Sequence, residues 1–229
     1  MQRVDVWSFE FSGWRNCWWA FVSMGKSELS VADVPGLSFA KQLGTGSGAG
    51  FSVWPNFGRY VWVLVWSGAD AVACADRFYA DNPVFQAHRE RSQFAHWWRM
   101  TGLRSHGTWN GLQPFECLPD AATTGRVAVI TRASIKRSQF WRFWSRVSSS
   151  AKLLKDRPGL ECAVGIGELP LVEQATFSVW SNAEALEGFA YRSPGHAKRI
   201  RETHRYGWYS EEQFTRFAVL SDGLDSLPN

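Results

Sequence analysis

Apolar and polar residues alternate along residues 4–11, VDVWSFEF, the pattern of a strand. Residues 60–66, YVWVLVW, run apolar without a break and predict a buried strand. Further strands are expected at 93–103, 126–135 (RVAVITRASI), 160–165 and 173–180 (EQATFSVW), with helices at 69–79, 83–91, 137–154 and 183–191. Residues 14–23 are bulky and suit helix or extended chain, and 26–37 read as a loop punctuated by Pro35-Gly36. Residues 39–43 lead into a glycine-dense turn, GTGSGAG, at 44–50, and 119–125 read as a linker. Ser193 as cap and Pro194 in the first turn predict a helix over 194–203. Residues 208–217 suit either a short helix or the lead-in to a last strand ending near Leu220.

These elements repeat in order: strand, helix, strand, glycine turn, strand, helix, strand. Residues 63–85 and 177–196 both carry VWS, an Ala-rich helix, an aromatic end and a proline-started turn. The expected architecture is α+β, a tandem ferredoxin-like repeat forming an α+β barrel, with halves at 1–118 and 126–229. In this register Pro83 matches Pro194, and Phe85 falls where His196 stands. That asymmetry suits a single site in the second half.

Composition narrows the classes. The chain has 229 residues, enough for a substantial core, and its 14 Trp and 16 Phe suit either that core or a wide apolar cavity. The formal charge of +4 comes without a block of like charges, so nucleic acid is not implied; a basic rim at an anionic cofactor or a membrane surface fits equally well. Cys17, Cys74, Cys117 and Cys162 lie far apart with no CxxC, so free thiols and a cytoplasmic, reduced setting are expected. No apolar run approaches the ~18 residues of a spanning helix, which leaves peripheral membrane contact open.

Motifs for chemistry are few. GTGSGAG is followed by FSVWPN rather than a helix, so it reads as a turn between strands and not as a dinucleotide fingerprint. Glu168 and Glu173 are too loosely constrained for an acid/base pair and read as solvated surface carboxylates, and neither GxSxG nor HExxH occurs. Along 194–203, about 100° per residue puts His196, Ile200, Thr203 and His204 on one face, with Lys198, Arg201, Glu202 and Arg205 on the other. An imidazole so placed suits a metal ligand or a satisfied core histidine. A single axial histidine for haem needs no second ligand nearby in sequence.

Several separated blocks carry a resemblance. They are LSFAKQLGTGSGAGFSVWPNFGRYVWVLVW (37–66), WNGLQPF (109–115), AVITRASI (128–135) followed by FW (140–141), GIGELPLVEQATFSVW (165–180) and FAYRSPGHAKRIRETHRYGWYSEEQFTRF (189–217). In these the chain resembles the spheroidene monooxygenases, while the N-terminal block and the tail after Phe217 are only generally alike. The resemblance implies a dimeric α+β barrel type of fold, one haem b, and oxygen-dependent oxidation of a carotenoid. It implies His196, in Pro194-Gly195-His196, as the iron ligand, with His204 as rival. Arg132 is a candidate for a haem propionate or bound oxygen, against a strand-end ion pair. Gln174 and Thr176 are candidates for hydrogen bonds to a distal ligand, against ordinary cross-strand contacts. Lys41 and Arg59 are candidates for neutralising propionates, against a solvated surface.

The expected function is therefore haem-dependent monooxygenation of a carotenoid or other long apolar molecule, with electrons from a separate ferredoxin-type donor. Two alternatives stand beside it: a haem lyase of the aldoxime dehydratase type, and a non-catalytic binder of haem or an apolar ligand. The aromatic stripe of Phe140, Trp141, Phe143, Trp144 and Val147 points to a homo-oligomer.

Overall fold

The structure is a computed structural model that describes residues 2–26, 31–47, 54–118, 125–139, 157–168, 172–192 and 208–226. The first half contains β1 (Arg3–Glu10), α1 (Trp14–Lys26), β2 (Leu37–Gly46), β3 (Pro55–Trp66), α2 (Ala71–Asp81), α3 (Pro83–Arg91) and β4 (Phe94–Gly107). The second contains β5 (Val127–Ile135), β6 (Leu160–Gly167), β7 (Glu173–Trp180), α4 (Ala183–Arg192) and β8 (Tyr209–Ser226). The strands close into one barrel in the order β1-β3-β2-β6-β7-β5-β8-β4, and every pairing is antiparallel.

Within each half the order is that of a ferredoxin-like sheet, β4-β1-β3-β2 and β8-β5-β7-β6. Two seams join them. The β4–β8 seam runs from Phe94↔Ser226 to Gly107↔Gln213, whereas β2 and β6 pair only at Gly44↔Gly167 and Thr45↔Ile166.

The halves repeat in detail. Pro35-Gly36-Leu37 opens β2 and Pro158-Gly159-Leu160 opens β6, and Gly36 and Gly159 share φ +77°. Each glycine carbonyl accepts a 2.8 Å hydrogen bond from the serine after the shared VW, Ser67 or Ser181. Both strands then shift register one residue later, between Leu37 and Phe39 and between Leu160 and Cys162. A side chain at Gly159 would put its Cβ 2.5 Å from the Ala185 Cβ, and one at Gly36 would meet the Cys74 Cβ at 2.8 Å. Glycine alone allows both the left-handed turn and this close approach to a helix.

Strand alternation sorts the core. Inward residues such as Val6, Val63, Trp98, Met100, Ile130, Phe177 and Phe217 fill the barrel. The outward face of the first sheet, with Trp7, Phe9, Trp62 and Trp66, packs under α2 and α3 through Phe78 and Phe85. The outward face of the second sheet meets α4 through Val127, Val129, Trp180 and Leu186. Pro83 begins α3, and the Asn82 side chain caps it by accepting from the Val84 and Phe85 N–H groups at 3.0 Å each.

Residues 14–23 are helical, not extended. Residues 209–217 belong to a strand of 18 residues that passes Leu220 by six, and no short helix forms there. The reason is long-range pairing: β8 is laddered by β4 on one side and β5 on the other, and Gln213, Thr215 and Phe217 alternate into the barrel. Of the expected helix at 137–154 only a 3-10 turn, Arg137–Gln139, is described. The helix at 194–203, most of the linker and part of the glycine turn lie outside the described residues.

Candidate functional site

Arg132 points inward from β5 at one end of the barrel and is 2% exposed. Its Nη1 donates to Glu211 Oε2 at 2.5 Å and its Nη2 to Asn110 Oδ1 at 2.7 Å. Glu168 and Glu173 lie 3.4 and 3.6 Å from the guanidinium, which also stands over the Trp109 ring at 5.5 Å. Glu168 accepts from Trp109 Nε1 at 2.5 Å and pairs with Lys41 Nζ. Lys41 and Arg132 are thus brought together through one carboxylate. The cluster ties β2, β5, β6, β7, β8 and the loop 108–112 into one network.

Glu211 holds that loop. It accepts from Thr108 Oγ1 at 2.7 Å, the Gly111 N–H at 2.7 Å and the Asn110 N–H at 3.0 Å. Burial pushes its pKa up, but the Gly111 N–H, the Thr108 hydroxyl, Arg132 and the Asn110 N–H outweigh that and bring it down to about 2. Asn110 takes φ +54°, a left-handed position that suits asparagine. With these partners Arg132 is a strand-end ion pair and a clamp on the Trp109-Asn110-Gly111 turn.

Arg59 keeps other company. It donates from Nε to Ser8 Oγ at 2.9 Å and lies 3.5 Å from Glu10 Oε1. Burial raises the nearby Cys162 thiol, with Arg59 pulling the other way.

Gln174 and Thr176 share a strand face, but the opposite one from Arg132. Ala175, Phe177 and Val179 belong to the barrel interior, so Gln174, Thr176, Ser178 and Trp180 face outward toward the α4 layer. Thr176 lies opposite Thr131 and Gly165, and Thr131 lies opposite Phe214.

The shared VWS aligns the two outward faces position by position. Trp66 matches Trp180, so Trp7, Trp62 and Phe9 of the first half match Thr131, Thr176 and Ala133 of the second. In the first half these rings enclose Phe85, at 4.8 Å from Trp7, 6.0 Å from Trp62 and 5.8 Å from Phe9. The second half has hydroxyls and a methyl where the first has three aromatic rings. At these three positions the second half carries less side-chain volume than the first.

His88 is the one fully buried histidine among the described residues. Its Nδ1 lies 2.8 Å from the Val84 carbonyl, while Nε2 has no hydrogen-bond partner and the ring is 4.6 Å from Trp62 and 4.9 Å from Trp19. Packed on all these rings, it is a core histidine. His196 and His204 lie outside the described residues, as does the 140–147 stripe.

No protein-family model matches the chain. Spheroidene monooxygenase of Rhodobacter capsulatus is 33% identical over 214 residues, covering 93% of this chain and 88% of that protein. The enzyme of the same name from Rubrivivax gelatinosus is 35% identical over 187 residues, covering 82% and 70%. The chain belongs to the spheroidene monooxygenase family. Family membership makes it an oxidoreductase of the monooxygenase class. Among solved structures, aldoxime dehydratase superposes with a TM-score of 0.63 at 13% identity, covering 95% of this chain and 81% of that one. A second aldoxime dehydratase structure, in complex with butyraldoxime, gives 0.61 at 11% identity, with 95% and 79% covered. These likenesses show the fold alone. Within the described residues of this spheroidene monooxygenase relative, no helix is long and apolar enough to cross a membrane.

Nothing in the sequence pattern marks Asn110 and Glu211 as partners of Arg132. Glu168, which reads from sequence as a solvated carboxylate, is instead drawn into the network by Arg132, Trp109 and Lys41. The signal for all three is weak, because they stand 22 to 79 residues from Arg132 in sequence and only the folding of the barrel brings them to it. The paired PGL turns were readable and would have strengthened the repeat.

Proposed function

We propose that the chain is a haem-dependent monooxygenase acting on a carotenoid or another long apolar molecule, with His196 as the axial ligand of a haem b. The observation that supports this most is the asymmetry of the outward faces. Aligning the two proline turns, three residues shorter in the second half, matches Phe85 with His196, and the strand register matches the rings around Phe85 with Thr131, Ala133 and Thr176. Where one half buries a phenyl ring among three others, the other half offers a histidine in sequence and small residues on the sheet. A flat porphyrin fits that exchange of volume.

When bound, haem supplies the iron at which dioxygen is activated, with electrons from a separate ferredoxin-type donor. The chain's own residues do the rest. Thr131 and Thr176, register partners on β5 and β7, present hydroxyls to the proposed pocket, and Gln174 adds an amide on the same face. Val127, Val129 and Trp180 make the neighbouring wall apolar and exclude water. Arg132, Lys41 and Arg59 face the other way with carboxylate or hydroxyl partners, so Arg132 is a positioning residue that fixes the 108–112 loop.

Reconstituting purified protein with haem tests the reading. The parent should bind haem one to one with a Soret band, and His196→Ala should lose or shift it while circular dichroism stays native. An unchanged spectrum sinks the assignment of His196, and His204→Ala then tests the rival. Turnover that needs both oxygen and reductant marks the monooxygenase, whereas anaerobic turnover by pre-reduced protein would mark a lyase.

A further inference from the structure

We propose that the outer face of α1, together with the start of β3, is a docking surface for an anionic phospholipid bilayer. The proposal deepens the reading of an apolar substrate, since such a molecule dissolves in lipid, but its grounds are independent. Trp14, Trp18 and Phe21 follow at i, i+4 and i+7 and form one stripe along the helix. Trp14 is 75% exposed and Trp18 63%. Phe21 packs edge-on against the half-exposed Phe57 at 5.4 Å, and Trp54, at the start of the same segment, is 73% exposed.

The opposite side of α1 is already satisfied. Ala20 is fully buried, and Trp19 packs on Phe11 and His88. A helix apolar on both sides normally lies inside a protein. Here the second side faces outward with three aromatic rings, more than scattered exposure explains.

Charge chooses the occupant. Between residues 11 and 27, and again between 34 and 69, the sequence has no Asp or Glu, while Arg15, Lys26, Lys41 and Arg59 lie in those stretches. Lys41 and Arg59 are engaged with inward carboxylates, but Arg15 lies beside the stripe, 5.4 Å over the Trp14 ring. Tryptophan concentrates at the bilayer interface because its ring is apolar with one polar edge, and nearby basic residues are drawn to anionic headgroups. At 13 residues α1 is too short to span a bilayer, so it would lie in the interface plane.

Flotation of the purified full chain with vesicles tests this without any substrate, so vesicle binding and catalysis can fail separately. The parent should float with vesicles of phosphatidylcholine and phosphatidylglycerol and much less with phosphatidylcholine alone. The double variant Trp14→Ser/Trp18→Ser should lower partitioning roughly tenfold or more, because it removes two interfacial rings. Parent protein that stays out of the lipid fraction overturns the proposal, as does a natively folded double variant that floats as well as the parent. A parent that ignores vesicles but loses a dimer in the double variant assigns the face to a second copy and equally overturns it. Should the double variant fail to fold, brominated phosphatidylglycerol provides the check on the parent: its tryptophan fluorescence must be quenched on binding, and an unquenched signal refutes the docking face.

Discussion

Trp7 and Thr131 hold the same place in the two halves of the barrel. Trp7 sits between Trp62 and Trp97 in the strand register, and Thr131 sits between Thr176 and Phe214. Each half has the same topology, the same bulge and the same PGL turn, so the difference in side-chain volume is local to this layer. The repeat supplies two outward faces, and the second carries the smaller side chains at these positions.

The first prediction follows from that pair. Thr131→Trp should fill the proposed pocket with the first half's own ring and abolish haem uptake, while leaving far-UV circular dichroism native. The reverse change, Trp7→Thr, opens a cavity beside Phe85 and Trp97 and should cost about 3 kcal/mol or more in urea unfolding. Full haem binding by a folded Thr131→Trp protein would place the pocket elsewhere.

Most strands were legible because alternation and apolar runs are local signals. Residues 173–180 were bounded to the residue, and so was α3 at 83–91, where Pro83 and Asn82 mark the start chemically. β8 was harder. Its EEQFTRF stretch shows no two-residue alternation of polarity, because Glu211 and Gln213 turn inward to meet Arg132 and Ser105, so polarity there reports the barrel-end network and not solvent. The faces of Gln174 and Thr176 followed from period two, yet their separation from Arg132 required the register Arg132↔Ala175. A sequence shows which residues share a face of one strand; it does not show which faces of two strands agree.

Glu211 predicts a dependence on acid. Its pKa of about 2 lies below the ordinary 4.5, so the unfolded chain takes up the proton first as pH falls. The stability it contributes is complete above pH 4.5 and drains away between there and about 2. Glu211→Gln should be less stable than the parent at pH 7, with the gap closing across that window in denaturant titrations. A gap that is constant with pH would show that Glu211 acts through shape and not charge.

His88 gives a second window at higher pH. Burial lowers its pKa below the ordinary 6.5, with only the Val84 carbonyl pulling upward. The unfolded chain is then protonated first, so stability is full above pH 6.5 and declines as pH falls toward the folded value. His88→Phe, a ring among Trp62, Trp19, Phe9 and Phe11, should flatten the stability profile just below pH 6.5. If the slope there survives the substitution, another group carries it.

The paired glycines make the most direct test of the repeat itself. Gly36 and Gly159 share φ +77°, and both would drive a Cβ into the helix that follows the VWS strand. A residue with a side chain pays for the left-handed conformation and for the clash, on the order of 1–3 kcal/mol for the backbone alone. Gly159→Ala should be the worse of the two, since its Cβ would stand 2.5 Å from the Ala185 Cβ and 2.8 Å from Ser181 Oγ. Gly36→Ala meets the Cys74 Cβ at 2.8 Å, a longer approach than the 2.5 Å at Ala185. Thermal unfolding of both variants decides it. Two losses of similar size mean that the turns do equal work in the two halves, and a neutral Gly159→Ala would break the correspondence between PGL at 35–37 and at 158–160.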